Sequence, residues 1–503
     1  MQYPSFVGGS YVSAAITADQ EDTINWYVEL MEVPGATTRA TLYPTPGVTE
    51  LADYVDGVGK AHFFEGSREF AVVGGSFIEI DSAGSTTLRG TVATGTAPAT
   101  ICSNGPQGGA EATDTGEIFI TAGGSINSDG VGTGGNGYIF NLKTNVFSQV
   151  RTGATFQGGM LDGYFLALDA DTNAFFISGL LDGLTWDASQ FARRSSASDP
   201  WRALKVMNPY IYLLGQHTSS AWYDAGSSPF PFAEHPSGRI PYGVAAPFSP
   251  AIAEGSLYWL ASTESGIGPV VRATGFTPKR VSTHPVDLAI DGYSDITDAV
   301  GDSYEEAGHR FYLLTMPTGK ITWVYDERSR LWHKRGTWSS IDSTYGAWRP
   351  QFHAYAHGQH RMLDNFSGKI YSMSNTDTTD AGGEILRRVR RAPAMEFENK
   401  RLYYSRFELG LQRGLGLTSG QGSNPQVMMR ISNDGGHTWG NERWASAGKL
   451  GDYNIRVEWN RCGMGRRRVF EIVMSDPIPW RITNAWVEMT SLPKGVNPQA
   501  AVA

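Results

Sequence analysis

The most informative segment of the sequence is Gly319-Lys-Ile-Thr-Trp-Val-Tyr-Asp-Glu-Arg-Ser-Arg-Leu-Trp332. Apolar and aromatic residues alternate with other residues from Ile321 to Tyr325, a polar turn follows, and a second strand brings back Trp332. Two-residue alternation bounded by turn residues is typical of half-buried antiparallel strands. The segment therefore predicts a β-hairpin with one aromatic face.

Looser copies of this hairpin recur along most of the chain. They begin at Phe77, Tyr138, Phe175, Tyr210, Leu257 and Arg361. The copies are spaced by roughly 40 to 50 residues, which is the length of one four-stranded propeller blade. No copy matches the tryptophan-aspartate or kelch consensus, so this prediction depends on period and pattern. We predict an all-β fold in which an irregular β-propeller of six or seven blades spans residues 56–383.

The rest of the chain divides into three further segments. Residues 1–55 form an N-terminal entry segment that can pack with the C-terminal domain, residues 384–494 form a basic, β-sandwich-like domain, and residues 495–503 form a tail. One short helix is expected at 286–291, with a second helical turn across 296–300. The glycine-rich segment 122–137 is predicted to be a mobile surface loop, because it lacks the following helix and adjacent lysine of a phosphate-binding loop.

Composition restricts the class of protein. No segment approaches the roughly 20 apolar residues that span a bilayer, and the N-terminus lacks the basic and apolar regions of a secretory signal. We therefore expect a soluble protein made in a reducing compartment. Cys102 and Cys462 are expected to be free thiols in that compartment, although a single disulfide between them is the alternative.

The charge is distributed unevenly along the chain. The formal net charge is -9, yet residues 384–494 contain 18 Lys and Arg against 11 Asp and Glu, a net charge of +7. The remainder of the chain carries -16. Charge of opposite sign on two parts of one chain predicts that the two parts face different partners.

The segment Ser432-Asn-Asp-Gly-Gly-His-Thr-Trp439 resembles the Asp box of sialidases and related β proteins. In that motif Asp434 would bond backbone amides across a hairpin turn, Gly435 and Gly436 would supply positive φ, and Trp439 would be buried. This pattern indicates a structural turn. The alternative is a β-propeller glycan hydrolase or glycan-binding module, which would need converging arginines and a tyrosine nucleophile.

Three histidines suggest a metal site at first sight. His353 and His357 would share one face of a strand, about 13 Å apart at roughly 3.3 Å per residue, which is too far for one ion. His360 follows a few residues later. We therefore expect these histidines to form a structural polar network, and we predict no metal, no cofactor and no catalytic residue.

Two arginine clusters stand out in the basic domain: Arg387, Arg388, Arg390 and Arg391 in the first, and Arg466, Arg467 and Arg468 in the second. Such clusters bind an acidic protein surface, bind phosphates, or simply form a solvated face. Because they lie in the one basic part of an acidic chain, we predict a protein-docking interface.

Several motifs in a fixed order resemble the packaged-DNA stabilisation protein, or tail nozzle (hub), family of short-tailed bacteriophages. The matching residues are 25–28, 43–47, 195–222, 282–300, 308–317, 322–326, 332–336 and 430–436, with the arginine run before Phe470. Each motif is moderately specific, but their order along nearly the whole chain is much more so.

The resemblance implies a non-enzymatic virion protein of the tail, assembled in the host cytoplasm. Six copies would form a tube below the dodecameric portal adaptor, close the DNA exit channel after packaging, carry fibres or spikes, and conduct the genome during ejection. Double-stranded DNA would pass through the lumen without specific binding, and no part would span a membrane.

The charge of the chain agrees with this role. Six copies at -9 each carry -54, and an acidic lumen would repel DNA phosphates, whereas a basic one would retain them through counterion release. Screening confines the repulsion to about 8 Å at physiological salt. A ring needs two different patches that meet between neighbours, and the basic domain could supply one of them or the contact with the adaptor.

Overall fold

A computed structural model describes the chain over six ranges, and the predicted tail 495–503 lies outside them. The described residues are 1–15, 19–33, 39–105, 116–194, 199–264 and 266–491. Nearly all regular structure within these ranges is β-strand, as predicted.

Seven antiparallel sheets follow one another along the chain, and we number them blades 1 to 7. Blade 1 contains Gly59–Glu65, Arg68–Val73, Ser76–Ile80 and Thr86–Thr91; blade 2, Thr100–Ser103, Glu117–Ile126, Gly132–Asn141 and Phe147–Arg151; blade 3, Gln157–Leu161, Tyr164–Asp169, Ala174–Ile177 and Phe191–Arg193; blade 4, Trp201–Met207, Tyr210–Gly215, Ser219–Asp224 and Phe232–Ile240.

The remaining three blades follow the same plan. Blade 5 contains Gly243–Val244 and Ala251–Ala253, which share one edge, then Ser256–Thr263, Gly266–Thr274 and Thr277–Arg280; blade 6, Val300–Glu306, His309–Met316, Ile321–Asp326 and Leu331–Arg335; blade 7, Pro350–Ala356, Gln359–Asp364, Lys369–Ser374 and Gly47–Asp53. A hairpin of Trp338–Ser339 and Thr344–Tyr345 separates blades 6 and 7.

Successive blades contact each other through their first strands, except that blade 4 contacts Gly243–Val244 of blade 5 through its second strand, Tyr210–Gly215, and the first strand of blade 7 contacts that of blade 1. The ring is therefore closed. Its last blade takes its outer strand, Gly47–Asp53, from the N-terminal part of the chain, through pairs such as Met373 with Val48. This strand covers a sheet edge that would otherwise expose unpaired backbone groups. The propeller thus includes residues that we had assigned to the entry segment 1–55.

The hairpin at 319–332 forms part of blade 6. Trp323 pairs with Lys334 and Tyr325 with Trp332, and the three aromatic side chains are buried. The Trp332 indole donates to the Val281 carbonyl oxygen over 2.9 Å. The predicted aromatic face therefore packs inward, as the alternation indicated.

The C-terminal part is a two-sheet sandwich that includes strands from the N-terminus. One sheet contains Gln20–Ile24, Arg388–Arg391, Arg467–Met474, Gln426–Ser432 and Arg443–Ser446, with Tyr11–Val12 and Met395–Glu396 at its sides; the other contains Trp26–Leu30, Ala40–Pro44, Ile482–Ser491, Leu402–Leu411 and Val457–Gly465. Trp26, Phe407, Phe470 and Trp480 lie in the core between the sheets.

The strand Gln20–Ile24 also joins the two domains. It pairs with Arg388–Arg391 on one side, and on the other Ile24 makes a parallel bridge to Lys334 of blade 6. One continuous sheet therefore runs from blade 6 into the sandwich.

Two local predictions were wrong, and one was confirmed. The glycine-rich segment 122–137 forms most of the central hairpin of blade 2, because its missing side chains leave room for the Phe156 ring, which a Cβ on Gly132 would overlap. Residues 296–300 form no helix, and Val300 begins a strand. The predicted short helix is present as His284–Asp291. A 3-10 turn spans Ala381–Gly383.

Candidate functional site

The predicted docking arginines do not form one surface. Arg390 is fully buried. It donates to the carbonyl oxygens of Phe6 over 2.7 Å and Gly9 over 3.0 Å, and to the Thr23 hydroxyl over 2.8 Å. It also pairs with Glu21 over 2.6 Å. Arg390 therefore holds the N-terminal segment against the sandwich and cannot dock a partner.

Arg388 and Arg468 are buried as well, so the docking prediction is wrong for them too. Arg388 lies over Trp26, with 5.9 Å between the guanidinium and the ring centre, and burial lowers its pKa to about 10. Arg468 donates to Asn433 Oδ1 over 2.7 Å and to the Cys462 carbonyl oxygen over 2.8 Å. These arginines point into the protein because backbone carbonyl groups accept hydrogen bonds from their guanidinium groups.

The other four arginines keep contact with solvent. Arg466 is exposed, and Arg387 lies 4.1 Å from the Trp338 ring centre. Arg467 pairs with Glu396 over 3.5 Å, with 30% of its side chain exposed. Arg391 keeps 22% of its side chain exposed while pairing with Glu471. The docking prediction stays open for these four positions.

The Asp-box segment forms the hydrogen-bonded turn that its sequence indicates. Asp434 accepts from the Ser432 hydroxyl over 2.6 Å and from the Thr438 backbone N–H over 3.0 Å, and these bonds lower the pKa of Asp434. The Gly436 N–H donates to the Ser432 hydroxyl, at a φ of 104° that favours glycine. The motif therefore fixes a turn.

Trp439 differs from the expectation that it is buried. Its side chain is half-buried. The guanidinium groups of Arg391 and Arg430 lie 5.0 and 5.4 Å from its ring centre. Both arginines bind the buried carboxylate of Glu471, Arg391 over 2.8 Å and Arg430 over 2.9 Å. Sequence reasoning missed Glu471, whose only signal is a carboxylate inside the apolar strand 467–474.

His353 and His360 form a polar network, as expected, whereas His357 lies in a separate cluster. His353 and His360 share a hydrogen bond of 2.8 Å, and His360 lies 3.1 Å from Glu306. The strand Pro350–Ala356 ends before His357, which lies in the following turn at a φ of 50°, so the alternation that placed His353 and His357 on one face does not extend to His357.

A second polar cluster, missed by sequence reasoning, lies where blade 7 meets blade 1. Glu69 accepts from Arg361 over 2.6 Å and contacts His62 over 2.8 Å, and all three side chains are buried. His357 lies 3.4 Å from Glu69. Glu69 and His62 lie beside apolar and aromatic residues of their strands, which is a signal that could have found the cluster.

Cys102 and Cys462 are free thiols, as expected. Burial strongly raises the pKa of the Cys102 thiol. Among the helices of the described ranges, none has the length and apolar character needed to cross a bilayer.

Fold and site together define a structural β protein, in which a closed propeller and a sandwich share one sheet. Two family models match it in chain order: the β-propeller of bacteriophage P22 Gp10 over residues 20–378 and the β-sandwich of the same protein over residues 387–490. The chain belongs to the bacteriophage P22 Gp10 family, and it is a structural protein of a phage tail.

Solved structures give weaker similarities. The N-terminal domain of Nup159 aligns at a TM-score of 0.39 and 8% identity, covering 70% of this chain and 98% of its own. The WD40 domain of Neurospora crassa Pan2 aligns at a TM-score of 0.37 and 9% identity, covering 65% of this chain and 94% of its own. An ancestral GH74 enzyme aligns at a TM-score of 0.39 and 10% identity, covering 71% of this chain and 51% of its own. No curated protein matches the sequence.

Proposed function

We propose that the protein forms the tail nozzle, or hub, below the portal adaptor of a short-tailed phage, closes the DNA exit channel after packaging and conducts DNA during ejection. The observation that carries the proposal is the match of both Gp10 family models, in chain order, over most of the chain. The protein acts without catalysis, as a ring of six copies.

The joint between the two domains supports a role in bearing load. The Asn25 side-chain amide donates to the carbonyl oxygens of Gly336 over 3.0 Å and Arg387 over 2.8 Å, and its Oδ1 accepts from the Gly336 N–H. The buried Arg335 packs on the Trp348 ring at 3.4 Å and donates to the Pro46 carbonyl oxygen over 2.6 Å. Propeller and sandwich would therefore move as one body under the pressure of packaged DNA.

The charge distribution supports the proposed orientation. Residues 384–494 carry +7 and the rest of the chain -16. The basic C-terminal segment of the sandwich would dock onto the adaptor or onto the neighbouring subunit, through the solvent-contacting side chains of Arg387, Arg391, Arg466 and Arg467. The acidic propeller would face the lumen, where it would repel DNA phosphates, or carry fibres or spikes.

Electron microscopy of the purified protein mixed with its portal-adaptor ring tests the proposal. We expect six-fold densities on the side of the ring that faces away from the capsid, and we expect particles lacking the protein to lose packaged DNA. A monomer that never binds the ring, with DNA retained in its absence, contradicts the proposal. Turnover of fluorogenic sialosides or other glycosides would favour the hydrolase alternative instead.

A further inference from the structure

A cavity of about 600 Å³ lies at the centre of the propeller, open toward the turns that join the first and second strands of the blades. All seven blades contribute to its wall at or beside their innermost strands. Cavities of this size hold small molecules. The lining carries one lysine, Lys205 of blade 4, and three carboxylates, Asp302 of blade 6, Glu65 of blade 1 and Asp162 of blade 3.

The Lys205 ammonium has no fixed partner in this cavity. Within the described ranges no carboxylate lies at ion-pair distance from it, and no hydrogen bond from it is found. Its side chain is half-buried, and burial lowers the pKa of Lys205, although the charge of Asp302 partly opposes that effect. An ammonium group has three donors to satisfy.

Asp302 is held in place and does not reach Lys205. One of its oxygens accepts from the His353 backbone N–H over 2.8 Å and the other from the Ser303 N–H over 2.8 Å. Gln157, on the same wall, is also held in place, since it donates to the Pro247 carbonyl oxygen and accepts from the Leu204 N–H. Lys205 is thus a donor without a fixed partner, beside an aspartate and a glutamine whose hydrogen bonds are fixed.

We propose that this axial cavity binds a small oxyanion at Lys205, a site that goes beyond the tail role. Glu65 and Asp162 line the same cavity toward the strand turns. Their carboxylates would repel an extended polyanion such as nucleic acid, whereas a small anion can pass between them. The ligand class is therefore a compact oxyanion of low charge, for which inorganic phosphate is the probe.

Titration of the whole protein with phosphate, against sodium chloride of matched ionic strength, tests the site by calorimetry and by thermal shift. We expect saturable binding and a rise in melting temperature in the wild type, loss of both in Lys205→Met, and retention in Lys205→Arg. Lys143→Met, which removes an exposed charge from a turn of blade 2, should bind like the wild type.

Two results would overturn the proposal. One is phosphate binding that is equal in Lys205→Met and the wild type, or that does not saturate in either. The other is a lower melting temperature of Lys205→Met without phosphate, since removing a charge that has no partner should leave the fold as stable or more so. If Lys205→Met does not fold, a crystal structure of the wild type grown with phosphate provides the test instead. No phosphate beside Lys205 in that crystal would overturn the proposal.

Discussion

Arg361 and Glu69 form a buried ion pair of 2.6 Å across the junction between the last and first blades, with 1% and 0% of their side chains exposed. Arg361 also donates to the carbonyl oxygens of Asp81 over 2.9 Å and Ser82 over 2.7 Å, in the outer turn of blade 1. The propeller is therefore closed twice: by the strand Gly47–Asp53 within blade 7, and by a charge pair between blades 7 and 1.

Replacing Arg361 with Met should destabilise the propeller by about 3 to 5 kcal/mol, because it leaves the Glu69 carboxylate buried without its cation. Urea unfolding followed by tryptophan fluorescence measures the loss. Lys400→Met breaks an exposed pair with Glu398 and should cost about 0 to 1 kcal/mol. Equal stabilities of the two variants would show that the pair does not hold the ring closed.

The sequence predicted what depends on local pattern and missed what depends on distant partners. Alternation around Trp323 predicted the hairpin and its buried face, and the repeat length predicted the propeller. The outer strand of blade 7 pairs Val48 with Met373. No local feature of the sequence around either residue indicates that these two distant segments pair. Arg390 and Arg466 look alike in sequence, yet backbone carbonyl groups of the N-terminal segment bury the first and leave the second in water.

Arg390 should therefore affect folding more than assembly. Arg390→Met leaves the Glu21 carboxylate and several carbonyl groups without their donor, and should destabilise the sandwich by about 3 to 5 kcal/mol. Limited chymotrypsin digestion should cut faster at the exposed Tyr11. Arg466→Met, at an exposed position, should stay within about 0.5 kcal/mol of the wild type. Wild-type proteolysis of Arg390→Met would contradict the anchoring role.

Trp439→Ala should have a moderate effect. The half-buried ring loses two cation–π contacts, each worth about 0.5 to 1 kcal/mol, so we expect a total loss of about 1 to 2 kcal/mol. Trp480, which is fully buried and bonds the Asp476 carbonyl oxygen, provides the comparison: its replacement by Ala should cost about 3 to 5 kcal/mol. Equal melting temperatures of the two variants would contradict the difference in burial.

The buried His309 should make stability depend on pH. Burial alone would lower its pKa, but hydrogen bonds to Asp326 over 2.9 Å and Glu29 over 2.6 Å raise the pKa of His309 above its ordinary 6.5. A raised folded-state pKa contributes stability that is complete below pH 6.5 and is lost as the pH rises through the raised value.

Melting temperatures of the wild type and His309→Gln, measured from pH 5 to 9, test this linkage. The difference between the two proteins should be largest at pH 5 to 6.5 and should shrink at higher pH. Because Glu29 lies on a sandwich strand and Asp326 on blade 6, the charged histidine also links the two domains. A difference that stays constant across the range would mean that the protonation of His309 contributes nothing.

Charge reversal at the exposed arginines should separate assembly from folding. Arg387→Glu combined with Arg466→Glu should lower stability by only about 0.5 to 1 kcal/mol, because the contact of Arg387 with the Trp338 ring is lost. If the sandwich docks onto an acidic surface, the variant should bind the portal-adaptor ring at least tenfold more weakly, since two attractive contacts become repulsive. Sedimentation of labelled protein with the purified ring measures the affinity. Lys143→Glu, on the propeller, should bind normally. Normal ring binding by the double variant would place the docking surface elsewhere on the subunit.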